Sequence, residues 1–569
     1  MARRQEAVFL LAWAFALVAV SSAAIVEHTF NVENVTVSKL CRKHVITAVN
    51  GTLPGPTIQV TEGDTLVIRV HNMSPYNITI HWHGVFQLLS GWSDGPNYIT
   101  QCPIHPGHSY IYKFTITKQE GTLWWHSHVS LLRATVYGAL IILPKSGHYP
   151  FPTPHKQIPI ILGEWWNANV IDIENQAQAL GVGPNISDAF TINGRPGDLY
   201  PCSKKHTYKL KVVHGKTYML RIINAALNNQ LFFRIANHKF TVVAVDASYT
   251  DPYVTDVVVL APGHTVDVLL TTDQTPGAYY MAARPYVSAQ NAPPPDNTTT
   301  TGILIYDQFP YTSPIMPLLP ALNDTPTAHK FYSNLTSLVG SPNWMPVPTK
   351  LDEQMLVTIG LSISPCGSNA TCQLLPNVPT LRLSANMNNA SFQFPTSLSL
   401  LQAHFFNVKG IYTADFPDQP PLKFDYTNPA NSNSTALAFV LKSTRVKQVK
   451  YNATVEIVFQ DTTIIGAENH PMHLHGFNFH LVGQGFGNFD PVKDRKKYNL
   501  FNPVIRNTVA VPVGGWAAIR FRANNPGVWI LHCHLDAHLP LGLATAFVVE
   551  NGPTRSSTLP PPPPDLPQC

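Results

Sequence analysis

Charge is what this 569-residue chain has least of. Asp, Glu, Lys and Arg make up 12% of it, about half the roughly 25% of an ordinary globular protein. The net charge is +5 over the whole length, and the densest basic cluster is only Arg495-Lys496-Lys497. A nucleic-acid binder shows a basic face or stripe, so that class is excluded. Long apolar runs are scarce as well. Val8–Val20 is apolar throughout, but it is too short and too early for a membrane span. Bulk disorder is excluded in turn, because 44% of the residues are hydrophobic and a large core can form. Cysteines number seven, an odd count that leaves one unpaired or otherwise engaged. Two residue types are plentiful: 50 prolines and 24 histidines.

Arg3 and Arg4, the apolar run, and Ser22-Ala23-Ala24 form the pattern of a secretory leader. Residues 1–24 are therefore expected to be a signal peptide, with a membrane anchor as the alternative. Secretion changes how other residues read. Twelve Asn-x-Ser/Thr sequons start at Asn34, Asn50, Asn72, Asn77, Asn185, Asn297, Asn323, Asn334, Asn369, Asn389, Asn433 and Asn452. Many of them are expected to be glycosylated surface sites. Asn50 is the exception, since Asn50-Gly51 reads as a tight hairpin turn. An oxidising compartment favours cysteine pairing. Cys366 and Cys372 are close enough in sequence to close a small loop. Cys533, between two histidines, is the natural one to remain unpaired.

The pattern along the chain is β. Short alternating runs such as Thr57–Asn72, Tyr110–Thr117, Tyr208–Val213, Tyr218–Asn224, Thr265–Thr271, Thr454–Phe459 and Trp516–Arg522 are separated by Gly, Pro, Asn and Asp. Helical periodicity is scarce. An all-β fold of sandwiches or barrels follows. A weak repeat recurs as a turn, then a strand carrying Arg, then Asn. Its copies are Glu62–Asn72, Val213–Asn224 and Val513–Asn525, which suggests three related β-domains. The expected limits are 25–148, 158–310 and 345–569. The proline-rich stretch Pro310–Pro348 is expected to run over the surface as a linker. The tail Pro560–Pro564 is expected to be extended, and Cys569 pins it if it pairs.

Ten of the histidines fall in four short segments: His81-Trp82-His83, His126-Ser127-His128, His470 with His473-Leu474-His475, and His532-Cys533-His534 with His538. On a strand, residues i and i+2 share a face roughly 6.6 Å apart, while a metal takes imidazole nitrogen at about 2 Å. One pair therefore suits two neighbouring metals better than one. Four pairs supply eight imidazoles, enough for a cluster of several ions. Cys533 points the other way, where His470 and His538 can join it. Two His and one Cys make the trigonal blue-copper set with a weak axial position. Zinc is the alternative, but closed Cys/His tetrahedra are not available from these segments.

With Trp92-Ser93-Asp94-Gly95-Pro96, Leu123-Trp124-Trp125-His126 and Asn193-Gly194-Arg195-Pro196, the four histidine segments make the chain resemble the multicopper oxidases, and among them the plant laccases. The resemblance covers essentially the whole mature chain. It implies three consecutive cupredoxin-like β-barrel domains and four copper ions. It implies His470, Cys533 and His538 as type 1 ligands, and His81 and His473 as type 2 ligands. His83, His126 and His534 match one type 3 copper, and His128, His475 and His532 the other. It also implies Asp94 as a group that supplies protons for O₂ reduction. The axial type 1 position, ten residues after Cys533, is Leu543 rather than Met. Leu541 stands where plant laccases often have Trp. Asn228-Asn229-Gln230 offers only amides where relatives place an acid near the phenol. The resemblance suggests the disulfides Cys102–Cys569 and Cys41–Cys202.

The implied activity is one-electron oxidation of lignin-type phenols near His538, with four electrons passed through Cys533 to reduce O₂ to water. Partners are then small phenols and O₂, with no nucleic acid and no membrane once the leader is removed. The protein is expected to be a secreted, N-glycosylated monomer of the apoplast. Two rival readings stay open. A metal-ion oxidase would need carboxylates near His470 and His538; Asp536 is close by in sequence, but a single Asp is thin support. A non-catalytic cupredoxin-like wall protein would have lost copper ligands, whereas this chain keeps all eleven.

Overall fold

The computed structural model describes residues 23–290, 295–307, 313–367, 372–374 and 380–569. The leader and the sequon at Asn369 thus lie outside the described residues, apart from Ala23 and Ala24. Three β-sandwiches follow one another along the chain. Each has a larger and a smaller sheet or two equal ones, and their strand orders correspond. In the first, Thr65–Asn72 runs parallel to Ile25–Lys39 and antiparallel to Ser109–Thr115. In the second, Thr217–Asn224 runs parallel to Lys156–Trp165 and antiparallel to Thr265–Thr271. In the third, Ala453–Asp461 runs parallel to Glu353–Pro365 and antiparallel to Gly515–Ala523. The fold is three cupredoxin-like domains, as the alternation and the resemblance led us to expect.

That correspondence corrects the third copy of the sequence repeat. The run after Gly514-Gly515 takes the place of Ser109–Thr115 and Thr265–Thr271, not that of the other two copies. The equivalent of Thr65–Asn72 in the third domain is Ala453–Asp461. A glycine turn leading into an alternating strand is a local motif, and it recurs at more than one strand of a sandwich.

The described part of the stretch 310–348, from residue 313 onward, is also more than a surface linker. Thr325–Ser333 is a helix, capped by Asp324, which accepts from the Thr327 N–H. Its Ala328, Phe331 and Tyr332 are buried in the core of the second domain. The tail does pack as an extended segment. Leu559 and Leu566 are buried in the first-domain core, the Trp92 indole N–H donates to the Pro560 carbonyl at 2.9 Å, and Cys569 pairs with Cys102. Cys41–Cys202 and Cys366–Cys372 are the other disulfides, and Cys533 is free and buried. Among the described residues, no helix is long and apolar enough to cross a membrane.

Alternation along one strand positions the site. In Gly527–Cys533, Val528 and Ile530 join the core of the first domain. Trp529, Leu531 and Cys533 join the core of the third. The strand thus has one face in each domain, and His532 and His534 share parity with the face turned to the first.

Candidate metal centres

Two strand pairs carry the histidines. Ile80–His83 lies antiparallel to Gly121–Ser127, with His81 opposite His126 and Trp82 opposite Trp125. His470–Leu474 lies antiparallel to Gly527–Cys533, with His473 opposite His532 and Met472 opposite Cys533. The residues between the histidines turn into the cores: Trp82 into the first domain, Met472 and Cys533 into the third. The imidazoles are left to face one another across the two domains.

Their ligand atoms gather in threes, all within 4.8 Å of one another in each group. The groups are His81, His83 and His473; His83, His126 and His534; His128, His475 and His532; and His470, Cys533 and His538. The first three mix first-domain and third-domain residues, so each of them needs both domains, whereas the third domain alone holds His470, Cys533 and His538. All eleven side chains singled out in the sequence are buried and brought into these groups.

The donor sets fit metal ions. His81 Nε2, His126 Nε2, His473 Nε2 and both nitrogens of His128 are buried with no hydrogen-bond partner. Such atoms are costly unless something else satisfies them. His475 Nε2 and His532 Nε2 stand 3.2 Å apart, and His83 Nδ1 and His534 Nε2 3.1 Å apart. Two nitrogens each about 2 Å from one ion have about this spacing. Cys533 Sγ is 3.6 Å from the Nδ1 atoms of both His470 and His538. Burial pushes His470 down to about 4 and His532 to about 3. It also holds His83, His126, His128, His473, His475 and His534 well below the usual imidazole value. These rings are therefore neutral, the form that ligates metal.

The rings are oriented from behind. His473 Nδ1 donates to the Asn507 carbonyl at 2.8 Å, His126 Nδ1 to the Ser127 carbonyl at 2.8 Å, and His532 Nδ1 to the Cys533 carbonyl at 2.9 Å. Each bond fixes the tautomer that leaves Nε2 free for metal. Asp94 serves two rings. Its carbonyl accepts from His81 Nδ1 and its Oδ2 from His475 Nδ1, both at 2.8 Å. Asp94 follows the 3-10 turn Gly91–Ser93 and is fully buried. Gly95 has a φ of +100°, and a Cβ there would lie 1.9 Å from the Ile80 carbonyl oxygen. Glycine is what lets this turn lie against the histidine strand.

The second domain contributes no ligand to these groups, yet it presses on them. Gly263 has a φ of +93°, and a Cβ on it would lie 3.0 Å from His83 Cε1 and 3.2 Å from His534 Cγ. Gly263→Ala is expected to strain the turn and displace both rings. O₂ reduction should fall about tenfold with loss of copper from this cluster, while the Cys533 absorption band persists. Metal analysis together with the visible spectrum checks this outcome.

Three groups near the site escaped the sequence reading. The carboxylate beside the His470–Cys533–His538 group is Glu468, whose Oε1 lies 3.1 Å from His538 Nε2. Asp536, the acid singled out in the sequence, instead pairs with Arg133 at 3.1 Å. Arg133 is buried and also donates to the His534 carbonyl at 3.0 Å. Glu468 stands two residues before His470, a spacing that could have drawn attention to it. The amides at 228–229 prove to be braces. Glu164 accepts from the N–H groups of Leu227 and Asn228 at 2.6 and 2.9 Å. Asn228 Oδ1 in turn accepts from the Ala537 N–H at 2.9 Å, beside His538. Leu543 is fully buried in the same apolar cluster as Cys533, and its carbonyl accepts from the Cys533 N–H at 3.0 Å.

Family models described as multicopper oxidase match residues 31–147, 156–308 and 415–553. The chain belongs to the multicopper oxidase family. Within that family it stands with the plant laccases. It is 62% identical to Laccase-7 of Arabidopsis thaliana, with 97% of each chain covered. It is 54% identical to Laccase-24 of Oryza sativa subsp. japonica, with 100% of each covered. Among solved structures, the laccase from Botrytis aclada superposes with a TM-score of 0.71 at 28% identity, covering 95% of this chain and 89% of that one. The activity is that of a laccase, and the cofactor is four copper ions.

Proposed function

We propose that this laccase is secreted and oxidises lignin-type phenols beside His538, with O₂ as the final acceptor. One observation carries the phenol reading: the outer nitrogen of His538 faces Glu468, whose side chain is 20% exposed. A phenol that loses an electron must also lose its proton, and Glu468 is a carboxylate placed to accept it. It takes the role that the amides at 228–229 cannot fill.

His470, Cys533 and His538 would hold type 1 copper, with Leu543, buried in the same cluster as Cys533, as the further residue of this site. His81 and His473 are assigned to type 2. His83, His126 and His534 take one type 3 copper, and His128, His475 and His532 the other. When bound, copper supplies a one-electron sink at the first group and the four-electron reduction of O₂ to water at the others. The polypeptide joins the two places covalently, since Cys533 is flanked by His532 and His534. Asp94, behind His81 and His475, is placed to hand protons to the oxygen site.

The domain limits 25–148, 158–310 and 345–569 and the leader 1–24 belong to the same proposal. Nine sequon asparagines, at 34, 77, 185, 297, 323, 334, 389, 433 and 452, are exposed and open to glycans. Asn72 is not, because it is buried with Nδ2 donating to the Tyr76 and Ile104 carbonyls. Asn50 spends its amide on the Asn31 N–H and the Thr29 carbonyl.

A metal-ion oxidase needs open carboxylates around His470 and His538. Asp461, 3.5 Å from His470, is fully buried, so among the described residues Glu468 is the partly exposed acid beside this group. O₂ uptake by copper-counted enzyme over phenol, ascorbate and ferrous iron tests the reading. Phenols should turn over fastest, and faster oxidation of ferrous iron would overturn it.

Leu543→Met would place a thioether donor beside the group that would hold type 1 copper. An added donor favours Cu(II), so the type 1 potential should fall and phenols that are hard to oxidise should slow most. The near-equal volumes keep the packing cost under about 1.5 kcal/mol. Redox titration of the blue band is the measurement.

A further inference from the structure

The loop that carries His538 has a second face. Ala537, Pro540 and Leu541 line a cavity of ≈ 190 Å³, against the helix Val170–Leu180 on the other side. Two cations, Arg382 and Lys442, also line it. Arg382 Nε is buried and has no hydrogen-bond partner. Lys442 Nζ donates to the Pro540 carbonyl at 3.0 Å, which ties it to the His538 loop. The two are close enough that Arg382 adds to the effect of burial in pushing the Lys442 ammonium down to about 8. The acid in the lining, Glu174, is turned elsewhere: it accepts from the Leu131 N–H at 3.1 Å and from Gln178 Nε2 at 3.0 Å. No ion pair joins either cation to an acid among the described residues.

Both cations are half-buried; cations partly withdrawn from water without a counter-charge carry a cost, and an anion between them would offset it. Much of the remaining wall is apolar, from Leu131, Pro540 and Leu541. A ligand that matches both features has a carboxylate at one end and a flat apolar body. An inorganic anion would leave the apolar wall unused, and a neutral arene would leave the cations unpaired.

We propose that this cavity binds aromatic carboxylates, with the carboxylate between Arg382 and Lys442 and the ring against the wall formed by the His538 loop. The proposal deepens the phenol-oxidase reading and rests on it for the substrate class it names, the carboxylate-bearing phenols such as hydroxycinnamates. A guanidinium–carboxylate pair is a charge-assisted, geometrically matched contact.

The test has a binding arm and a kinetic arm. Cinnamate, which has no phenol to oxidise, is titrated calorimetrically into the copper-loaded enzyme. It should bind with one-to-one stoichiometry, and cinnamyl alcohol should not. Arg382→Gln should weaken cinnamate about tenfold, and Arg382→Lys, which keeps the charge, should lose less. In the kinetic arm, kcat/KM for a hydroxycinnamate relative to the matching alcohol should fall about tenfold in Arg382→Gln, through KM. Absent cinnamate binding, or equal binding by wild type and Arg382→Gln, overturns the site. Arg382-dependent binding with an unchanged kinetic ratio overturns the substrate assignment. Arg382-dependent binding in an enzyme that oxidises no phenol supports the site and refutes the phenol-oxidase reading instead.

Discussion

Cys533→Ser is expected to abolish the intense blue absorption and to lower phenol oxidation by at least about a thousandfold, as loss of one member of a catalytic set does. Cys533 is fully buried, and its sulfur stands 3.6 Å from the Nδ1 atoms of both His470 and His538. Burial alone pushes its thiol up, so a bound cation is what makes the thiolate available there. A serine hydroxyl is harder, shorter and far less acidic. It cannot replace the soft ligand, nor the sulfur in the path to His532 and His534. The eight-imidazole cluster owes nothing to this atom, so its coppers should remain. Metal analysis should show one copper lost of the four. A variant that stays blue and active would refute the type 1 assignment.

The second large effect should come from Asp94→Ala. The alanine keeps the main-chain carbonyl that accepts from His81 Nδ1, but removes the carboxylate that accepts from His475 Nδ1. His475 then loses its fixed tautomer and its orientation. O₂ reduction should fall by about 10- to 100-fold, the range for partners that orient metal ligands. The blue band should survive, bleach under anaerobic phenol, and recover slowly when O₂ is readmitted. Stopped-flow reoxidation measures that recovery directly. Asp94→Asn separates two roles. If it approaches wild type, Asp94 acts by holding His475. If it is as slow as Asp94→Ala, the charge and the proton it can carry matter as well.

Several features of the site were visible in the chain because they obey a local rule. His-x-His pairs on strands send both rings one way and the middle residue the other, and the cysteine within the last pair had to face elsewhere. Its grouping with His470 and His538 follows that rule. The same rule misled where it was not specific. The turn-and-strand pattern at Val513–Asn525 resembles two others, yet it occupies a different place in its sandwich. The helix Thr325–Ser333 was hidden in a proline-rich stretch, although Asp324 is an N-cap and Pro326 lies in the first turn. Asp536 and Glu468 each stand two residues from a ligand histidine, and only the structure shows that Asp536 pairs with Arg133 while Glu468 lies beside His538.

The sequence by itself determined the all-β class, the supply of ten clustered histidines and one free thiol, and the face of the strand from which each side chain leaves. Those are consequences of a period of two residues, which any stretch of strand expresses without help from the rest of the chain. The tertiary structure alone decided which rings share a group and what stands behind them. His83 and His534 meet at 3.1 Å across 451 residues of chain, and Asp94 reaches His475 across 381. Arg382 comes to the His538 loop in the same way. Such meetings depend on how one sandwich closes on another, through a core that Val528 and Ile530 of the third domain complete for the first. No local pattern encodes that closure, because its contacts are made by side chains that are strangers in sequence.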